Sequence, residues 1–275
     1  AMKTKYSSLF SQPYLIWSLI FIIVPMGLVV VFAFTTEGGQ FTLDYVSQVG
    51  EYTNVLVRSV WLAAIATIIC LLIGYPLAFI MSRMPGFQQR TMLMLIMLPM
   101  WMNFLLRTYA WMTILEKNGL LNKLFGLVGL GPFDMINTQG AVVLGMVYNY
   151  LPFMILPLYS IMTKIDNRTI EAAQDLGANT KNVFTRIVIP MSMPGISTGI
   201  TMVFVPSVST FIISRMLGGG GNLLIGDLID LQFLGNAYNP HLGSAISLVL
   251  MVLILLCMSI LNQFNSDEDR EGMLL

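Results

Sequence analysis

Between two long apolar runs the chain reads Glu171-Ala172-Ala173, three residues, Gly177, nine residues, then Ile187-x-Ile189-Pro190. Those residue types at that spacing offer recognition rather than catalysis. The segment is charged and helix-forming in an otherwise oily sequence, so it presents a docking surface. Small Ala172 and Ala173 let another protein approach the backbone closely, and Gly177 permits a sharp bend between two short helices. Pro190 restarts the chain into the next apolar run, and the whole suits a short helix lying along a membrane face.

No catalytic constellation accompanies it. The chain has no G-x4-G-K-[ST] loop to cradle nucleotide phosphates, and the Gly218 to Gly221 run followed by Asn-Leu-Leu-Ile-Gly lacks the lysine. The chain therefore cannot supply ATP hydrolysis of its own. Cys70 and Cys257 lie within apolar runs, where a small hydrophobe is the reading rather than a disulfide or a metal ligand, and His241 stands by itself in a loop. No metal site is expected.

The other residues with chemistry to offer lie in or near apolar runs. Trp101, Phe104, Tyr109 and Trp111 fall in one run, with Tyr148, Tyr150 and Phe153 in the next. An aromatic face attracts a cation by about 0.5 to 2 kcal/mol, enough to ease passage and weak enough to allow release. The same rings also suit an interfacial belt or ordinary packing. Asn103 and Asn149 are unusual in oily surroundings and serve either an interhelical hydrogen bond or a passing solute. Asp227 and Asp230, three apart, share one side of a helix; they form either a solvated face or an acidic gate. Arg107 is a charge within a span, which needs a partner such as Glu116 or an acid of another chain.

These residues must be positioned by membrane helices. Hydrophobic residues make up 56% of the 275 residues and charged ones 10%, against about 25% charged in soluble domains, and mean hydropathy is +0.77. Formal net charge is zero, so nothing points to nucleic acid. Six runs approach the roughly 20 residues that cross a bilayer: Pro13 to Phe34, Ser59 to Ser82, Met92 to Leu115, Gly140 to Met162, Ile187 to Ile213 and Gly243 to Gln263. They are continuous rather than alternating, which predicts an all-α membrane protein with six transmembrane helices and not a barrel. Connecting segments on one side carry Lys3, Lys5, Arg83, Arg90, Lys164, Arg168, Lys181, Arg186 and Arg270, nine in all, against Arg58, Lys117, Lys123 and Arg215 on the other. The excess places both termini and the Glu171 segment in the cytoplasm. Pro25, Pro76, Pro99, Pro152, Pro157, Pro194 and Pro206 interrupt the spans, and broken helices at membrane depth need protein or a wet cavity around them. The glycine run reads as a flexible hinge, and Leu223 to Leu234 after it as a short helix dipping into the outer face.

The Glu171 segment closely resembles the E-A-A-x3-G-x9-I-x-L-P loop of binding-protein-dependent ABC importer permeases, with Ile189 in place of the family's leucine. That exchange keeps apolar character and volume. The resemblance extends over about Val55 to Leu261, and GYPLAFIMSRMPG at Gly74 to Gly86, LPMWMNFLLRTYAWMTIL at Leu98 to Leu115, YNYLPFMILPLYS at Tyr148 to Ser160 and NLLIGDLIDLQFL are similar to the first permease of spermidine/putrescine importers.

What the resemblance implies is a type I importer permease with three regions. Residues 1–54 carry a cytoplasmic tail, the first span and an external loop, 55–262 the permease core, and 263–275 a cytoplasmic tail. Glu171, Ala172, Ala173, Asp175, Gly177 and Ala178 would form a cytoplasmic coupling helix gripping an ATPase dimer, which holds the ATP and magnesium; this chain itself binds no cofactor. A second, different permease subunit, membrane lipid and an extracellular polyamine-binding protein or lipoprotein complete the expected assembly in a bacterial plasma membrane. Trp101, Asn103, Tyr109, Trp111, Tyr148, Asn149, Asp227 and Asp230 are the candidate path residues. The six spans contain no Asp or Glu, so a deep anionic polyamine pocket in this subunit is not expected. It also disfavours a secondary transporter, which needs coupling-ion acids near midplane. A permease for an anion, an iron complex or thiamine is the rival within the class, and Arg107 suits an anion better than a polycation.

Overall fold

A computed structural model describes residues 13–235 and 237–272, with side chains described as far as residue 260. Apart from one antiparallel bridge, Thr35 to Phe41, every regular element among them is helical. In chain order they are α1 (Pro13–Ala33), α2 (Thr53–Ser82), α3 (Gly86–Trp101), α4 (Phe104–Leu115), α5 (Leu120–Leu127), α6 (Gln139–Met162), α7 (Asn167–Asp175), α8 (Thr180–Val208), α9 (Ile212–Leu217), α10 (Ile225–Leu234) and α11 (Pro240–Gly272). Five stretches are long and apolar enough to cross a membrane, containing α1, α2, α6, α8 and the first part of α11; the pair α3 and α4–α5, bent by 89°, makes a sixth if taken as one span.

That bend departs from the continuous third span expected over Met92 to Leu115. Pro99 removes a backbone donor near the end of α3, Met102 turns extended (ψ 147°), and Asn103 restarts the chain as an N-cap. Its Oδ1 accepts from the N–H groups of Leu105 (2.8 Å) and Leu106 (3.4 Å), satisfying two of the donors that a helix start leaves orphaned. The amide therefore serves its own helix end.

The fifth span also begins earlier than the run of apolar residues. Asn179 caps α8 by accepting from Asn182 N–H at 2.8 Å, and the helix runs unbroken for 29 residues. Pro190 does not restart it. A π-helical turn, Phe184–Val188, leads directly into Ile189 and Pro190, which is one way a helix absorbs a proline without an i→i−4 donor.

The chain forms two units, described separately: the described parts of 1–54 with 228–253, and of 55–227 with 254–275. In the first, α1 is largely exposed and buries Ala33 alone. His241 there donates from Nδ1 to Phe32 O (3.0 Å) and stacks on Tyr45 at 5.5 Å.

The second unit rests on α6 against α8. Gly195 and Gly199, four apart, put bare backbone toward α6: a Cβ at Gly195 would meet Pro157 O at 3.1 Å, and one at Gly199 would meet Met154 Sδ at 2.6 Å. Small residues at this spacing let membrane helices touch backbone to backbone. Around that contact Cys70, Tyr75, Ala78 and Met81 of α2 join Met154, Ile155, Leu158 and Val203 in one buried cluster. Leu62, Ala66, Leu115, Val142, Met146, Ile213 and Leu217 form another.

The glycine run is half packed and half open rather than a free hinge. A Cβ on Gly218 or Gly219 would fall within 2.8 Å of existing atoms, while Gly220 and Gly221 have open space. Asn222 Nδ2 ties the turn to Asn137 O (2.9 Å), and Arg58 Nη1 donates to Gly221 O (3.2 Å).

Candidate functional site

The Glu171 segment folds as helix α7, a four-residue link and the start of α8. Asp166 caps α7 by accepting from Arg168 N–H at 3.0 Å. At the other end Gly177 adopts φ +86°. Its N–H donates to Gln174 O (2.9 Å) and that of Ala178 to Ala173 O (3.0 Å), the paired 5→2 and 6→1 bonds of a Schellman stop. L side chains rarely accept that backbone angle, so glycine here sets the angle between α7 and α8.

The stop sorts the expected docking residues onto two sides. Glu171, Ala172, Asp175 and Gly177 are exposed, whereas Ala173 and Ala178 are half-buried and pack with Ile170 against Ile165, Val183 and Val188. The small size of Ala173 thus serves packing inside this chain, while Ala172 leaves the outer face flat. Sequence reading passed over Leu176, which at 89% exposure is an apolar side chain standing free beside the glycine. Its signal was a lone Leu at the helix stop, within a stretch otherwise polar on that side.

Arg83, immediately after α2, reaches this segment. Its Nη1 donates to Ile165 O (3.1 Å) and to Asn167 Oδ1, and its Cζ lies 5.4 Å from the Phe79 ring centroid. Partial burial lowers its pKa, yet a guanidinium stays charged at neutral pH. Phe79 meets Phe184 edge-on at 5.7 Å, and Phe184 meets Tyr75 at 5.6 Å.

Such an arrangement, a short exposed helix wired into two long membrane helices, is found with a matching sequence pattern. A family model described as "Binding-protein-dependent transport system inner membrane component" matches residues 71–267. The chain belongs to this family. Among curated relatives, the permease is 40% identical over 265 residues to the spermidine/putrescine transport system permease protein PotB of Haemophilus influenzae, covering 93% of this chain and 92% of that one. It is 37% identical to the protein of the same name from Escherichia coli, covering 86% and 90%. In fold the permease resembles a chain of a bacterial ABC transporter importing the acidic polysaccharide alginate, with TM-score 0.75, 19% identity and coverage of 96% and 95%. It also resembles a chain of the alginate transporter in complex with its oligosaccharide-bound periplasmic protein, with TM-score 0.78, 18% identity and coverage of 94% and 93%. The all-α permease fold is thereby shared with those transporter chains.

The permease does not bring its candidate path residues into one cluster. Trp101 (75% exposed) and Tyr109 (56%) flank the α3–α4 bend with open rings. Trp111 packs edge-on to Tyr148 at 5.4 Å. Asn149 is buried and donates to Gly145 O (2.9 Å) within its own helix, leaving Oδ1 without a partner among the described residues. Asp227 is fully buried rather than solvated: it accepts from Ser214 Oγ (2.5 Å) and Leu224 N–H (2.9 Å), with Arg215 Nε 3.7 Å away. An acid at the third helical position reaching back to the cap N–H is half of a capping box. Asp230 is half-buried. A cavity of about 230 Å³ lies between Phe104 and Tyr150, two of the aromatics named from the sequence, and Pro206 and the Ser209–Ile212 turn, which were not.

Arg107 is 8% exposed, on the inward stripe of α4 with Thr108 and Leu115. It forms no ion pair with Glu116 among the described residues. Its Cζ lies 5.9 Å from the Phe104 centroid, and Nε and Nη1 are buried without acceptors among the described residues.

Proposed function

We propose that this permease is the membrane subunit of an ATP-driven polyamine importer, with spermidine and putrescine, named in its relatives' titles, as cargo. ATP and magnesium belong to a separate ATPase dimer, which docks on the outward face of α7 through Glu171, Ala172, Asp175, Leu176 and Gly177. The observation that carries this reading is the Schellman stop at Gly177, which holds an exposed Leu176 beside exposed acids at the junction of α7 and α8. An apolar side chain in that position is what a partner's pocket takes up.

On this reading the termini and α7 face the cytoplasm, a second permease subunit completes the path, and an extracellular binding protein selects the polyamine. Trp101 and Tyr109 offer their ring faces to the ammonium groups, with Trp111 and Tyr148 behind them; Asn103, Asn149, Asp227 and Asp230 shape the wall rather than bind strongly. Nucleotide closure of the ATPase pair favours one arrangement of α7, and through it one state of the spans. The test is reconstitution of this chain with its genomic neighbours' products, measuring ATPase stimulation by spermidine, putrescine, phosphate and thiamine. Stimulation by a polyamine is expected; a response to phosphate or thiamine alone overturns the cargo.

One observation favours a second reading, an anionic cargo: the buried Arg107 with two nitrogens lacking acceptors. An unpaired interior guanidinium attracts an anion and repels a polyamine.

A further inference from the structure

Arg83 does more than tether. It stands at the junction of three elements: it follows the last residue of α2, donates to Ile165 O at the end of the α6–α7 link, and donates to the side chain of Asn167, the first residue of α7. Its guanidinium also lies over Phe79, one turn back on α2, whose ring packs on Phe184 at the start of α8. Ile170 and Ala173 on the inner face of α7 pack against the buried cluster of Ile165, Val183 and Val188, on which Phe79 and Phe184 also pack. Apolar packing of that kind can slide, whereas a guanidinium whose Nη1 donates to both Ile165 O and Asn167 Oδ1 while its plane lies over Phe79 is held in one orientation.

We infer that Arg83 is the positioning residue that carries displacement of α7 into α2, so that the two move as one body while α8 moves through the Gly177 link. Two further features fit a moving part better than a static brace. Nε and Nη2 of Arg83 are buried with no acceptor among the described residues, which leaves donors in reserve for a second arrangement of the link. The Nη1 bond to Asn167 engages the helix start at its first residue, where a push along α7 is transmitted without bending the helix. Lysine would keep the charge and lose the planar guanidinium over Phe79; glutamine would lose both.

The inference rests on α7 being the ATPase-docking helix, and the experiment separates the two. The complete transporter is reconstituted in proteoliposomes from a Cys257→Ser background, with spin labels on Gln174→Cys in α7 and Ile80→Cys in α2, both exposed. The label distance is read without nucleotide and with ATP and vanadate, a measurement that does not depend on the cargo. Spermidine uptake per ATP hydrolysed is read in parallel. The expected result is a distance that stays fixed on nucleotide binding in the parent, shifts or broadens in Arg83→Gln and Arg83→Lys, and an uptake-to-hydrolysis ratio lowered about tenfold, as loss of a charged hydrogen bond would give. An unchanged distance and ratio in Arg83→Gln overturns the inference, and so does an equal fall in uptake and hydrolysis, which marks a merely structural role. Glu171→Lys serves as the control: normal coupling there with uncoupling in Arg83→Gln overturns the docking assignment and leaves Arg83 as the transmitting residue.

Discussion

Tyr75 and Ser192 share a 2.8 Å hydrogen bond between α2 and α8 in the buried interior. Ser192 Oγ also donates to Ile189 O at 2.9 Å, so the tyrosine hydroxyl is the donor of the pair. The bond fixes α2 to α8 four residues beyond the π-turn Phe184–Val188.

The two halves of that bond differ in what their loss costs. Tyr75→Phe removes the donor but leaves the serine bonded to Ile189, and should cost about 1 kcal/mol. Ser192→Ala strands the buried phenol and should cost more, about 1 to 3 kcal/mol. Thermal unfolding in detergent measures the order; equal costs would mean that Tyr75 finds another acceptor.

At Gly177 the backbone angle of +86° decides the outcome. Gly177→Ala should strain the link by about 1 to 2 kcal/mol, and Gly177→Asn less. Gly177→Pro fits neither the angle nor the donor role to Gln174, and should abolish coupled uptake while the protein still inserts. The ratio of uptake to ATP hydrolysis is the measurement; a normal ratio in the proline variant would remove Gly177 from the coupling path.

Leu176 is 89% exposed, so Leu176→Ser should change folding stability by no more than about 0.5 kcal/mol. Burial of a leucine by a partner is worth about 1.5 to 3 kcal/mol, which predicts roughly a tenfold to hundredfold weaker hold on the ATPase. Titration of the ATPase onto the purified permease tests this, and unchanged affinity would place the contact elsewhere on α7.

Arg107→Met separates the two cargo readings. Replacing an unpaired buried ion by an apolar chain of similar length is neutral or stabilising, so the protein should fold as before. For a polyamine cargo uptake is retained, since the charge only repels it. For an anionic cargo uptake is lost, and phosphate or thiamine-stimulated hydrolysis would vanish with it.

Some of this was legible along the chain. Continuous apolar runs and sparse charge define membrane helices because the bilayer imposes length and composition residue by residue, and five of the six runs correspond to long helices. The Glu171, Ala172, Gly177 spacing marked a short helix and its stop because a left-handed glycine is a local device. The break in the third span was also written locally, in Pro99 and the cap Asn103, but hydropathy alone runs through both.

The tertiary structure decided the rest, because it depends on what lies across from each residue. Ala172 and Ala173 are identical neighbours in sequence, and only the cluster around Ile165 turns one inward and leaves the other out. Asp227 and Asp230 read alike on a helix, but Ser214 and the Leu224 N–H draw Asp227 into the interior. Arg83 counted only as one more positive charge until the fold laid Ile165 O and Asn167 against it. Local sequence thus determined where helices run and stop; which face each one buries, and which charges meet, came from packing between segments, 82 and 84 residues apart in the chain at Arg83.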